Sequence, residues 1–107
     1  MNIPTERLLK YGAVKKTFQR REDIFREKQV AHYYFHIESG LVKMVNRGAE
    51  HDFIQGVFSE GESFGEPPMI GEFPYPATAI AILDTELLAL PRLGFIELLR
   101  DNFDIHL

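Results

Sequence analysis

The sequence predicts a mainly β domain, a small jelly roll or double-stranded β-helix barrel with one short helix at each end. Three observations carry this expectation. Short apolar runs rich in β-branched and aromatic residues recur at close spacing between residues 14 and 91. Each is bounded by charged or glycine-containing turns, as in small barrels and jelly rolls. Helical spacing of apolar residues occurs only at the two ends. The 107 residues suit a single domain spanning 1–107 with one modest core, and 45% hydrophobic against 26% charged residues is ordinary for a folded chain.

The elements follow in order. Residues 3–11 form a short helix with Thr5 as its cap, and Gly12 ends it. From Val14 the pattern turns β-like through Phe18, Ile24, Phe25 and Val30. HYYFHIESGLVKMV reads as two strands joined around Glu38, Ser39 and Gly40. NRGAEHD is a polar turn, and DFIQGVF is the next strand. Residues 61–77 form a long loop rich in glycine and proline, and ATAIAILDTELLALP gives two more strands with a turn at Asp84 and Thr85. From Leu93 onward, Phe95, Ile96, Leu98, Leu99, Phe103 and Leu107 share a helical face. That pattern meets no cap or glycine stop. We therefore expect either further chain after residue 107 or a last helix that docks on something else.

Composition excludes several functions. No apolar run approaches the ~18 residues of a membrane span. MNIPTERLLK lacks the apolar stretch of a secretory signal, so a cytoplasmic location is expected. Without cysteines the chain has no disulfides, thiolate metal sites or iron–sulfur clusters. The net charge of −4 is uneven, +4 over residues 1–30 and −8 over 31–107. An acidic domain lacks the clustered Lys and Arg that hold a phosphate backbone, so DNA contact through these residues is not expected. The basic N-terminal stretch reads as a solvated face rather than a binding patch.

Two chemical constellations stand out. His32, Tyr34, His36 and Glu38 share one parity on a strand, and two His with a Glu invite a cupin-like metal reading. The alternate residues Tyr33, Phe35 and Ile37 form the apolar set, so the histidines are expected to face solvent, with no metal bound. No Ser–His–Asp arrangement or paired carboxylates appear, so no catalytic residue is assigned. The second constellation is the loop GESFGEPPMIGEFPYPATAIA at 61–81. Its glycines and prolines outline a cradle for a small ligand.

Three ordered pieces give that loop a context. REDIFREKQVAHYYFHIESGLVK, GESFGE and ATAIAILDTELLALPRLGFIELL occur in the order and spacing of a known domain. Together they resemble the cyclic nucleotide-binding domain of the bacterial catabolite-activator/FNR regulators, over roughly residues 13–107. In one respect the chain departs from that pattern, because Arg21 and Lys28 stand where glycines supply positive φ. Those two turns are therefore expected to be shaped differently.

The resemblance implies that the loop is a phosphate-binding cassette around Phe64 and Gly65. It places Glu66 on a ribose hydroxyl, Gly65 under the sugar and Thr78 near the ligand. It also implies an arginine on the cyclic phosphate at position 75, followed by a backbone N–H donor. Here those residues are Tyr75 and Pro76, followed by Ala77, and Pro67 and Pro68 remove two more N–H groups. A charge-assisted contact contributes about 1.5–3 kcal/mol and a neutral hydrogen bond about 0.5–1.5. The loss is therefore about 2–4 kcal/mol, one and a half to three decades of affinity. Burying an unpaired phosphate charge adds to that cost.

A structural reading of the same residues is also available. Pro67 suits a first helical turn, Glu66 favours the dipole there, and Tyr75 can pack on the barrel. The expected function is a ligand-sensing domain of a Crp/Fnr-like transcription regulator, without enzymatic activity and with weak or no cyclic nucleotide binding. Its expected partners are a small effector, a second copy through the C-terminal helix, and DNA only through a further domain. The alternatives are a cupin-like metalloenzyme using His32, His36 and Glu38, or a stand-alone interaction module with a vestigial pocket that dimerises through Phe103 and Leu107.

Overall fold

The computed structural model describes residues 3–65 and 73–102. Eight strands form two antiparallel four-stranded sheets. They are β1 (Val14–Phe18), β2 (Asp23–Phe25), β3 (Tyr33–Ser39), β4 (Leu41–Arg47), β5 (Asp52–Ser59), β6 (Ser63–Phe64), β7 (Thr78–Ala81) and β8 (Thr85–Pro91). The sheet orders are β1-β8-β3-β6 and β2-β7-β4-β5. Apart from the β4–β5 hairpin, successive strands alternate between the sheets, which makes this a jelly roll. Helices α1 (Thr5–Lys10) and α2 (Arg92–Asp101) stand at the two ends of the chain.

The core lies on both faces of β3. Between the sheets, Phe25, Phe35, Phe64 and Tyr75 form an aromatic cluster, with ring centroids 3.7–5.9 Å apart. On the other face, Tyr34 and Leu90 are directly paired across β3 and β8 and are fully buried. Phe95 of α2 stacks on Tyr34 at 4.8 Å. Leu8 of α1 and Leu98 of α2 belong to the same buried cluster. Burying a side chain of this size contributes about 1.5–3 kcal/mol, so the terminal helices are integral to the fold.

This second layer corrects the reading of the His32–Glu38 face. Tyr34 is fully buried and His36 is 7% exposed, with Nδ1 at 3.2 Å from Ser63 Oγ. Only His32 of the two histidines faces solvent. Alternation correctly separates the two sides of β3, but it carries no information about a helix that returns from elsewhere to cover one of them. Among the described residues no group of three or more His, Cys, Asp or Glu side chains is placed to hold a metal ion.

Other boundaries also shift. Thr5 is the first helical residue rather than the cap. Pro4 precedes it with φ already at −57°, a preset entry that makes no side-chain cap bond. Thr85 begins β8, where its hydroxyl donates to Leu83 O at 2.8 Å and accepts from Leu41 N at 3.3 Å. Gly40 has φ +114°, and a Cβ there would lie 2.3 Å from Thr85 Oγ1, so this crossing requires glycine. On α2 the docked stripe is Gly94, Phe95 and Leu98, while Ile96 is 41% exposed. Phe103 and Leu107 lie outside the described residues, and Val30, read as a β position, is an exposed residue between strands.

Arg21 and Lys28 keep the left-handed turns that were expected to change, with φ +76° and +73°. Three turns share one construction. In 19–22, 26–29 and 59–62 the last residue donates its N–H to the carbonyl of the first. The last residue's side chain, Glu22, Gln29 or Glu62, accepts the N–H of the first at 2.8–2.9 Å. The third residue takes positive φ and donates its N–H to a strand or loop carbonyl: Arg21 to Ala81, Lys28 to Tyr75, Gly61 to Ile37. Two non-glycine residues are thus held in a conformation that costs an L-residue about 1–2 kcal/mol.

Candidate functional site

The segment leading into β7 is fixed by its backbone before any side chain is considered. Tyr75 N donates to Gln29 O at 3.0 Å, and Tyr75 O accepts from Lys28 N at 2.8 Å. This pair of bonds ties the segment to the Lys28 turn and aims the Tyr75 side chain between the sheets. The ring stacks on Phe25 at 3.7 Å and 7°. The hydroxyl donates to Tyr33 O at 2.8 Å and accepts from Tyr33 N at 3.2 Å. Burial pushes the phenol above its ordinary range, and hydrogen bonds to the Tyr33 and His32 backbone offset part of that push. The group is therefore neutral and fully occupied, and Tyr75 closes the barrel interior.

Gly65 belongs to the same construction. It has φ +90°, and a Cβ there would sit 3.2 Å from Tyr33 O and 3.7 Å from the Tyr75 ring. Phe64 is buried against Phe25, Phe35 and Phe58. Thr78 is also buried, and its hydroxyl accepts the Glu27 N–H at 3.0 Å.

Next to this wall is a cavity of about 250 Å³. Strand β4 supplies Met44 and Asn46, β5 supplies Gln55, Gly56 and Phe58, and the chain before β7 supplies Pro76 and Ala77. None of these residues is charged. Asn46 is the hub of the polar contacts. Its Nδ2 donates to Glu27 Oε1 at 3.1 Å and to Pro76 O at 2.9 Å, and its Oδ1 accepts from Gln55 Nε2 at 2.6 Å. The nearest charge in this network is therefore the Glu27 carboxylate, of the wrong sign for a phosphate.

Of the residues singled out in the sequence, Pro76 and Ala77 line the cavity. Phe64, Gly65 and Tyr75 form the packed wall, and Thr78 is bonded to the Glu27 turn. Glu66, Pro67 and Pro68 lie outside the described residues. The β4 and β5 residues were missed. Their one legible signal is Gly56 inside an apolar strand, which marks a bulge or a close approach.

The comparisons with known proteins agree with this architecture. The family model described as "Cyclic nucleotide-binding domain" matches residues 15–102. The chain is 33% identical over 82 residues to a cAMP-dependent protein kinase regulatory subunit of Blastocladiella emersonii, covering 76% of this chain and 20% of that protein. Among solved structures it is similar to a candidate cyclic nucleotide binding protein from Ruegeria pomeroyi, with TM-score 0.81 and 30% identity over 94% of this chain and 44% of the other. It is also similar to the Catabolite Activator Protein of Thermus thermophilus, with TM-score 0.80 and 26% identity over 92% and 48% of the two chains. The chain thus spans less than half the length of each of these relatives.

Proposed function

The chain belongs to the cyclic nucleotide-binding domain family, and from that premise we propose that it is the ligand-sensing part of a Crp/Fnr-like transcription regulator whose cassette has lost its phosphate-binding end. One observation carries the reading. Where the family resemblance calls for a phosphate-pairing arginine, the Tyr75 ring is stacked on Phe25 with its hydroxyl committed to the Tyr33 backbone. Pro76 follows and offers no N–H. The uncharged cavity lining and the Glu27 carboxylate behind Asn46 support the same conclusion. Cyclic nucleotide then binds about one and a half to three decades more weakly than in a cassette with the arginine and donor intact.

In this reading the domain acts without catalysis, in the cytoplasm, on a small effector. Effector binding shifts the helix that follows the barrel, which requires a different affinity for each position of that helix. Dimerisation falls to the C-terminal helix, whose outward Leu93 and Ile96 are 68% and 41% exposed. DNA contact falls to a further domain outside these 107 residues.

The test is calorimetric titration with cyclic AMP and cyclic GMP, on this chain and on Tyr75→Arg combined with Pro76→Ala. The expected result is weak or absent binding by the unmodified chain and a gain in the double variant. Tight binding by the unmodified chain overturns the reading. Circular dichroism checks that the double variant is folded. If it is not, the unmodified chain alone decides.

A further inference from the structure

We propose that two copies of this chain join edge to edge through β5, antiparallel and centred between Gln55 and Gly56, in a contact separate from the C-terminal helix. Four strands bound the two sheets, β1 and β6 in one and β2 and β5 in the other. An edge strand presents unpaired N–H and C=O groups, and folded chains blunt such edges by shortness or by charge. β2 has three residues, β6 has two, and β1 carries Lys15 and Lys16. β5 has eight residues with neither lysine nor proline. Its Phe53, Ile54 and Val57 are each more than half exposed. Of the four edges, β5 is therefore the one left open to pairing.

Strand register identifies the partner. Met44 pairs with Gly56 and Val45 with Ile54, so Gln55 is the extra residue of a β-bulge. Residues directly opposite each other share a face. Phe53 is opposite Asn46 and Gly56 opposite Met44, so both lie on the cavity face, together with Gln55 and Phe58. Asp52, Ile54, Val57 and Ser59 pair with the alternate β4 residues Arg47, Val45, Lys43 and Leu41, and lie on the outer face. From 52 to 59 the order is therefore outer, cavity, outer, cavity, cavity, outer, cavity, outer. That order reads the same in both directions. A regular strand alternates without a break, so it matches this edge on only one side of the bulge. A second β5 running antiparallel carries the same break in the same place and matches throughout.

The side chains suit that pairing. Ile54 falls opposite the partner's Val57 and Phe53 opposite the partner's Phe58, and two-fold symmetry gives each pair twice. Aromatic and β-branched cross-strand pairs are favourable. Gln55 meets the partner's Gly56, which has no side chain to obstruct it. Asp52 meets the partner's Ser59, and His51 meets the partner's Glu60. No like charges are therefore directly opposed between 51 and 60. The ladder is short, and contacts burying less than about 1,200 Å² are weak, so the pair forms in a concentration-dependent way.

The chain has no cysteine, so introduced cysteines report the register directly. Ile54→Cys and Val57→Cys are purified separately and oxidised alone and as a mixture. In the proposed pair, position 54 is about 4.5–5.5 Å from the partner's position 57 between Cα atoms, within disulfide reach. Two copies of either position are about 10 Å apart, beyond that reach. The mixture is expected to cross-link about tenfold faster than either chain alone. Sedimentation of the unmodified chain is expected to show a dimer that is lost in Val57→Lys, a charge at an exposed edge position, with the fold retained by circular dichroism. The selective cross-link is expected to persist when Leu93 and Ile96 are both replaced by serine, which separates this contact from the helical one. Equal cross-linking in all three samples, or none, overturns the proposal. So does a dimer undiminished by Val57→Lys, which assigns association to another surface. Loss of the cross-link in the Leu93 and Ile96 variant also overturns it.

Discussion

The aromatic wall around Tyr75 and the carboxamide wall around Gln55 meet at consecutive residues, Tyr75 in one and Pro76 beside the other, yet they treat their polar atoms in opposite ways. In the first wall the polar atoms of Tyr75 are matched internally. The Tyr75 hydroxyl both donates to and accepts from the Tyr33 backbone, and its peptide group is bonded to the Lys28 turn. In the second, the hydrogen bonds from Asn46 to Glu27 and Pro76 and from Gln55 to Asn46 leave the outer edge of Gln55 open. A saturated, buried wall can contribute stability and cannot greet a ligand. An unsaturated, accessible wall contributes little stability and retains capacity for recognition. Tyr75 and the Pro76 that follows it therefore belong to different physical regimes.

Substitutions can break this contrast, and the largest effect is expected at the closed wall. Tyr75→Ala removes a ring stacked on Phe25 and strands the Tyr33 backbone groups, for a cost of about 3–5 kcal/mol in urea denaturation. A cost under about 1 kcal/mol would mean that the ring is peripheral. Gly65→Ala is next. Its positive φ and the 3.2 Å approach to Tyr33 O predict a loss of about 1–3 kcal/mol, read as a lowered midpoint. An unchanged midpoint would show that this close approach relaxes freely.

A smaller effect is expected at Asp23 on β2. Hydrogen bonding to Arg47, first, and to Arg26 holds its carboxyl below the usual range against the opposing effect of burial. Its folded pKa is depressed, so its contribution is present above the unfolded value of ~3.9 and is lost as pH falls through the folded value. Both arginines are largely exposed, which limits the contribution to about 1 kcal/mol. Asp23→Asn is expected to show that difference at neutral pH and to converge with the unmodified chain in strong acid; a gap that persists in acid would assign the effect to packing. The smallest change in stability belongs to the open wall, where Gln55→Leu should stay within about 0.5 kcal/mol. A loss comparable to that of Gly65→Ala would erase the contrast between the walls.

Much of this was determined by the sequence alone. Strand order and the helical ends follow from apolar periodicity, which is local and survives translation into structure. The proposed loss of a phosphate-binding end rests on residue types, because tyrosine has no cation and proline has no N–H whatever surrounds them. Tertiary structure decided what depends on partners distant in the chain. Tyr34 is buried because Phe95 of α2 returns over β3, His36 pairs with Ser63 of β6, and Arg21 and Lys28 hold positive φ because their N–H groups meet Ala81 and Tyr75. Tyr75 faces inward because Phe25 and Tyr33 together accept its ring and hydroxyl. Gln55 reaches the cavity only because the β4–β5 register slips by one residue. A one-residue slip reverses the face a side chain occupies, and it is set by the pairing of two strands rather than by the pattern written in either one.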